Sequence, residues 1–355
     1  MKNLKGRLSG LVTILLLVGI SLVGFETVCS AQAPIRLKAA FWVYPQSAFA
    51  VGQDWYMKEV EFLTKGKVIF ERYWSQSLVT ARDIPDALAG GIADVGTILP
   101  GYYAGKFPLG DVGSMPGLNY HQWPCLTALQ ETWNHAPELR EEFARRGVRM
   151  LTPIAFGPYN LWTKKEVKSL EDLKGLKIRS VGIQALLIKA LGATPVAITP
   201  PELYDALQKG TVDGAVGDYD VAVAYGWHKV TNYYNMVPVG TSTCYFAISN
   251  KTWNGLPADI QKIMQDVVPD AIKAYAEIYE IDGISKWRKI ALGAGIKEVP
   301  FPRDQANKVK EIAKTQVWDK WATEMQSKGF AGQKVLETYV KAIEKYIPLD
   351  PMKYE

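Results

Sequence analysis

The sequence predicts an α/β protein built from two similar lobes, and three observations carry that expectation. Two separate stretches, residues 35–99 and 177–218, each read as strand, helix, strand, helix, strand. That alternation folds into a parallel sheet with its strand ends aligned. The two stretches also share residues at identical spacing, since Asp86, Ala87, Leu88, Gly91 and Asp94 recur as Asp205, Ala206, Leu207, Gly210 and Asp213. Finally, apolar residues return every three or four positions from Pro257 to about Ala291. A helix of that length would run roughly 50 Å, longer than one small lobe. It either crosses both lobes or breaks at Pro269 or Gly283.

The first lobe opens with a strand from Ile35 to Trp42, a helix from about Ser47 to Thr64 stopped by Gly66, and a strand from Lys67 to Trp74. A helix from Arg82 to Ala89 ends at Gly90 and Gly91, and Ala93 to Leu99 is the third strand. Gly105 to Trp123 reads as a loop, Leu126 to Arg146 as one helix, and Val148 to Phe156 as a strand leaving the lobe. Tyr159 to Thr163 then opens the second lobe.

Lys177 to Ser180 is a short strand, followed by a helix to Gly192 and a strand from Thr194 to Ile198. The next helix is marked by a capping box, with Thr199 at the cap, Pro200 at the first helical position and Glu202 three residues on. It ends at Lys209 before Gly210, and Thr211 to Val216 is a strand. Cys244 to Ser249 is a strand placed to return to the first lobe. After the long helix, Gly295 to Val299 is a strand, and Arg303–Lys328 and Gln333–Tyr346 are closing helices. The domain reading is therefore a leader over 1–33, lobe I over 34–156 and 244–283, and lobe II over 157–243 and 284–355 with the C-terminal helices.

The leader is inferred from Lys2, Lys5 and Arg7, an apolar run from Leu11 to Phe25, and the small-residue site Ala31, Gln32, Ala33. The run of about 15 residues is shorter than the roughly 20 that span a bilayer. The residues before Cys29 lack the leucine that lipidation usually requires. Cleavage before Pro34 places the mature chain in the periplasm. The full chain carries net charge +5, of which the leader contributes +2, leaving +3. So small and mixed an excess does not suggest nucleic acid. Cys125 and Cys244 could pair or stay as buried thiols.

Enzyme signatures are missing, with no G-x-S-x-G, H-E-x-x-H, C-x-x-C, P-loop or G-x-G-x-x-G. His121, His135 and His228 lie apart without ligand spacing, so no metal or other cofactor is expected. Binding needs less. A guanidinium offers a rigid fork of donors that matches a carboxylate. Arg179 and Asp218 would both stand at the strand ends, where open α/β sheets bind ligands. Arg179 could equally be a solvated residue alternating with buried Leu176 and Ile178.

The run Ser169-Leu-Glu-Asp-Leu-Lys-Gly-Leu-Lys-Ile-Arg179, with Leu191-Gly-Ala-Thr-Pro195 and the residues from Glu202 to Gly214, resembles the solute-binding proteins of TRAP transporters. The resemblance implies a two-lobed periplasmic-binding-protein fold, type II-like, that closes over an organic acid, with the long helix spanning both lobes. It implies delivery to the small and large membrane subunits of a permease, which would be the chain's one contact with the membrane. It also implies that Arg179 holds the solute carboxylate. Members that bind sialic acid have a second arginine where this chain has Tyr159 and an asparagine where it has Gly217. Members that bind 2-keto acids through a metal have Glu and Trp where this chain continues Ala215, Val216, Gly217, Asp218. At the family's pocket-lining positions stand Trp42, Tyr102, Tyr159 and Tyr245, with Thr97 and Leu99 completing the expected wall and Asp218 accepting from a hydroxyl or ammonium. Such rings suit a monocarboxylate with an aromatic or hydrophobic body. A short 2-hydroxy or 2-keto acid, or a C4-dicarboxylate, is the alternative solute. A lyase or hydrolase on the same scaffold is the alternative of another class, and a sensor kinase is the alternative partner.

Overall fold

The computed structural model describes residues 33–351 other than 104, 119 and 120. The expected leader thus lies, except for Ala33, outside the described residues. The first sheet has strand order β2-β1-β3-β10-β4, from β1 (Ile35–Ala40), β2 (Val68–Tyr73), β3 (Val95–Ile98), β4 (Val148–Ala155) and β10 (Thr243–Ser249). The second has order β11-β9-β5-β8-β6-β7, from β5 (Tyr159–Thr163), β6 (Lys177–Arg179), β7 (Thr194–Val196), β8 (Gly214–Gly217), β9 (Tyr233–Gly240) and β11 (Lys297–Val299). Helices α1 (Ala48–Leu63) and α2 (Ile84–Gly90) connect β1 to β2 and β2 to β3. Between β3 and β4 lie α3 (Gln122–His135) and α4 (Pro137–Ala144). In the second lobe α5 (Gly182–Ala190), α6 (Pro200–Lys209) and α7 (Tyr219–Ala224) follow β6, β7 and β8.

The shared residues mark equivalent corners of the two lobes. Gly91 (φ 76, ψ 17) and Gly210 (φ 74, ψ 18) are both left-handed C-caps. Asp94 and Asp213 then each make the same pair of bonds to the neighbouring strand. Lys38 N donates to Asp94 Oδ2 at 2.9 Å and Lys177 N to Asp213 Oδ2 at 2.8 Å, and each aspartate N–H donates to the lysine carbonyl. β1 is parallel to β2 and β3, as β6 is to β7 and β8. In each lobe one antiparallel strand, β10 or β5, adjoins this triplet. Strand β10 inserts between β3 and β4 of the first sheet.

Three expectations need correction. The helix over 126–146 is two helices, because Pro137 starts a new one after extended Ala136. Strand β9 and helix α7 lie in the stretch 219–240, where no element was expected. The C-terminal α14 (Gly332–Tyr346) packs on α3 of the first lobe, not in the second. Its Tyr339 hydroxyl donates to Gly113 O at 3.2 Å, and Lys345 pairs with Glu131 at 2.8 Å.

Before α14 the chain runs through α8 (Asn250–Gly255), α9 (Ala258–Asp266), α10 (Val268–Ala276), a π-helical segment (Glu277–Ile284) and α11 (Ser285–Gly293). Helices α12 (Arg303–Ala313) and α13 (Asp319–Ser327) come next. From α9 to α11 the junction residues Val267, Glu277 and Ile284 keep right-handed helical dihedrals, so neither Pro269 nor Gly283 breaks the long helix. Pro269 falls in the first turn of α10, where its missing N–H costs little. Gly283 lies where a Cβ would stand 2.7 Å from that of Ala48, so the helix can cross α1 closely. The helix packs on α1, α3 and β4 in the first lobe and on α7 in the second. No described helix is long and apolar enough to cross a membrane.

Where the lobes meet, each sends a carboxylate to a helix N-terminus of the other. Asp220 accepts from Ala48 N (3.1 Å) and Phe49 N (3.3 Å) at the start of α1. Asp111, in the short turn Gly110–Ser114, accepts from Ile183 N (3.1 Å) at the start of α5. Unpaired N–H groups and the helix dipole favour a negative group at both places. Burial nevertheless pushes the Asp111 carboxyl up to about 6, and burial followed by the charge of Asp218 pushes Asp220 up to about 7.

Gly91→Ala and Gly210→Ala should each lower stability by about 1–2 kcal/mol in denaturant titrations, because both sites have open space and only the positive φ opposes a side chain. The raised carboxyls bind protons more tightly folded than unfolded. Their contribution is complete below the unfolded value near 4 and is lost as pH rises through about 6 to 7. The melting temperature should therefore rise on acidification from pH 8 to pH 5, and Asp220→Asn should flatten part of that slope.

Candidate functional site

The site is built at the C-terminal ends of the parallel strands, on the side where the two lobes face each other. Arg179 is the last residue of β6, paired in register with Val196 of β7 and Ala215 of β8. Its side chain is 4% exposed, and its Nε donates to Ile198 O at 2.7 Å. The Tyr102 hydroxyl of the first lobe is hydrogen-bonded to the same guanidinium. The guanidinium carbon lies 5.9 Å from the centre of the Trp227 ring. Arg179 is the sole Lys or Arg among the described buried residues, and no described carboxylate pairs with it.

The acids nearby are committed to backbone donors. Asp218, 1% exposed, was expected to meet the solute. Instead its Oδ1 accepts from Val221 N at 2.9 Å, capping α7, and its Oδ2 accepts from Gly157 N at 2.7 Å and from the Tyr279 hydroxyl. Three donors favour the ionised form, yet complete burial outweighs them and raises its pKa. Glu280, from the π-helical segment, accepts from Gln122 N at the start of α3.

Aromatic rings wall the guanidinium. Trp42, two residues beyond β1, packs on Tyr102 (5.6 Å between ring centres), Phe49 (5.8 Å) and Phe156 (5.9 Å). Phe156 in turn lies 5.7 Å from Tyr159, the first residue of β5. Burial pushes the Tyr102 hydroxyl up to about 12 against the pull of the Arg179 charge, and burial raises Tyr159 and Tyr225 well above the ordinary tyrosine value. The Arg179 charge draws all three hydroxyls down from these raised values. Trp42, Phe49, Phe156, Asp220 and Tyr225 border a void of about 10 Å³, so the lobes stand close together there.

Of the residues expected from sequence, Arg179, Trp42, Tyr102 and Tyr159 come together. Leu99 is buried at the entry to the turn that carries Tyr102. Thr97 is turned away, its hydroxyl donating to Gln53 of α1. Tyr245 lies on the opposite face of the first sheet, with its ring 4.5 Å from Phe143 and its hydroxyl donating to Gly110 O at 2.7 Å. Cys125 and Cys244 are both free and buried. Phe49, Phe156, Ser180, Tyr225 and Trp227 were not foreseen. Only Phe156, directly after a strand end, and Ser180, directly after Arg179, carried a positional signal. Among the described residues no three His, Cys, Asp or Glu side chains gather as metal ligands.

Known proteins bear on this arrangement. Residues 52–283 match the family model of bacterial extracellular solute-binding proteins, family 7, named DctP. A monocarboxylate 2-oxoacid-binding periplasmic protein of Nostoc sp. strain PCC 7120 is 27% identical over 298 residues, which is 76% of this chain and 79% of that protein. A TRAP solute-binding protein of Rhodoferax ferrireducens T118, solved with copurified benzoate, superposes with TM-score 0.78 at 27% identity, covering 89% of this chain and 99% of the other. An open complex of a TRAP periplasmic solute-binding protein from Desulfovibrio salexigens gives TM-score 0.76 at 25% identity, covering 91% and 99%. With two facing lobes and a buried guanidinium that no described carboxylate pairs, the chain belongs to the DctP family of bacterial extracellular solute-binding proteins and is a TRAP solute receptor, not an enzyme.

Proposed function

We propose that this receptor captures a monocarboxylate with an aromatic or hydrophobic body and holds it by Arg179. It then passes the solute to the small and large membrane subunits of a TRAP permease. The reading rests on one observation above the others, that a buried guanidinium has no carboxylate partner among the described residues. A buried charge left unpaired costs several kcal/mol. A solute carboxylate supplies the missing partner, and the unpartnered hydroxyl of Ser180, 1% exposed, stands next in sequence to share it. Trp42, Tyr102, Phe156 and Tyr159 favour a flat apolar body, and the benzoate-bound relative supports the same class. The 2-oxoacid-binding relative supports the second reading, a short 2-oxo or 2-hydroxy acid. A C4-dicarboxylate would require a second cation, and Arg179 stands alone among the described buried residues.

In this reading the mature chain begins at Pro34 in the periplasm. The lobes join at residues 156–157 and 243–244 and along the long helix. Closure is a population shift, because the solute meets both walls only when the lobes are together. Asp220 on α1 and Asp111 on α5 hold that closed arrangement. Gly101 and Gly182 allow it, since a Cβ on Gly101 would stand 2.9 Å from the Gly182 Cα.

A thermal-shift screen of aromatic, aliphatic, hydroxy, oxo and dicarboxylic acids should single out aromatic or hydrophobic monocarboxylates. Preference for lactate or pyruvate would favour the second reading. Calorimetry on the best acid should show binding reduced at least about 100-fold by Arg179→Ala, and substantially by Arg179→Lys, which loses the fork. Retained affinity in Arg179→Ala with an unchanged melting temperature would remove Arg179 as the anchor. Gly101→Ala should weaken the same acid about tenfold by obstructing closure while leaving unfolding in the absence of solute nearly unchanged.

A further inference from the structure

Arg179 accounts for one end of the solute, but another donor stands unanswered across the cleft. The Trp42 indole is 3% exposed, and its Nε1–H has no hydrogen-bond partner among the described residues. Its ring neighbours Phe49 and Phe156 carry no acceptor. The third, Tyr102, turns its hydroxyl toward the Arg179 charge. Tyr225 reaches the Trp42 backbone carbonyl, at 3.5 Å, and not the indole. A buried donor left without an acceptor costs about 1–3 kcal/mol, and an indole N–H has no second role to play.

Position separates this donor from the carboxylate group. Arg179 and Ser180 belong to the second lobe, at the end of β6, whereas Trp42 belongs to the first lobe, at the end of β1. It stands within the aromatic wall that faces the body of the solute. We infer that Trp42 is a specificity residue whose indole N–H donates to an oxygen on the solute body, so that the receptor selects oxygen-bearing aromatic monocarboxylates over their unsubstituted parents. This rests on the carboxylate reading of the site and adds a second recognised group to it. It also gives closure a chemical check, because the oxygen meets Trp42 only when the first lobe comes down on an acid already held by the second.

The test is calorimetric, on matched acids that differ by one hydroxyl: benzoate against 2-, 3- and 4-hydroxybenzoate, and phenylacetate against mandelate. In the unaltered protein at least one hydroxylated acid should bind about tenfold or more tightly than its parent. In Trp42→Phe that advantage should fall to within about twofold. Because a smaller ring could disturb the wall, the same measurement is made with the Trp42 indole replaced by benzothiophene, which keeps the shape and lacks the N–H. There the parent acid should retain its affinity while the hydroxyl advantage disappears. Equal binding within every pair by the unaltered protein, or an advantage that survives loss of the N–H, overturns the role of Trp42 and leaves the Arg179 reading standing. Failure of every one of these acids to bind overturns the aromatic-carboxylate reading itself.

Discussion

A guanidinium buried without a carboxylate is the constraint on which the rest of this structure turns. The buried acids around the junction of the lobes are each held by backbone N–H groups. Asp218 caps α7 and ties down Gly157, Asp220 caps α1, Asp111 meets α5, and Glu280 meets α3. Helix N-termini carry both unpaired donors and partial positive charge, so they compete well for a carboxylate. With these carboxylates committed to backbone donors and none of the described ion pairs engaging Arg179, the cation stays available for an acid brought from outside.

The same bonds also join the two lobes. Asp220 and Asp111 are reciprocal, each lobe lending an acid to a helix of the other, and the long helix runs behind both. Its π-helical segment carries Tyr279 and Glu280, which bind Asp218 and the start of α3. An irregular turn in a helix is found most often where function demands it. Here it sits where the helix passes from one lobe to the other, so the irregularity links the site's supporting acids to the element that both lobes share.

Much of the fold could be read from residues whose local chemistry is decisive. The box of Thr199 and Glu202 marked the start of α6, and the Glu202 carboxylate does take the Thr199 N–H (3.2 Å) and hydroxyl (2.8 Å). Gly91 and Gly210 marked two helix ends because only a residue without a Cβ adopts their φ cheaply. The echo of Asp94 in Asp213 carried the two-lobe architecture, and the bonds to Lys38 and Lys177 explain why the spacing had to be kept. Elements without such markers were lost or merged. Strand β9 follows a short helical turn, Trp227–Lys229, that carries no strand signal, and the break at Pro137 was hidden by a helical pattern that continues on both sides.

The sequence by itself determined the two lobes, the alternation of strands and helices within each βαβαβ block, and the residue types able to hold an acid, because those depend on neighbours a few positions apart. Tertiary structure alone decided which candidates face the cleft. Tyr245 and Cys244 differ by one position on a strand and point to opposite faces, Thr97 is held by a glutamine from α1, and Asp218 is consumed by Gly157 and Tyr279 from distant parts of the chain. It also decided that α14 returns to the first lobe. These outcomes rest on contacts between residues far apart in sequence, and Arg179 is the clearest case: its type was evident from the chain, but its burial without a described carboxylate partner exists only in the folded structure.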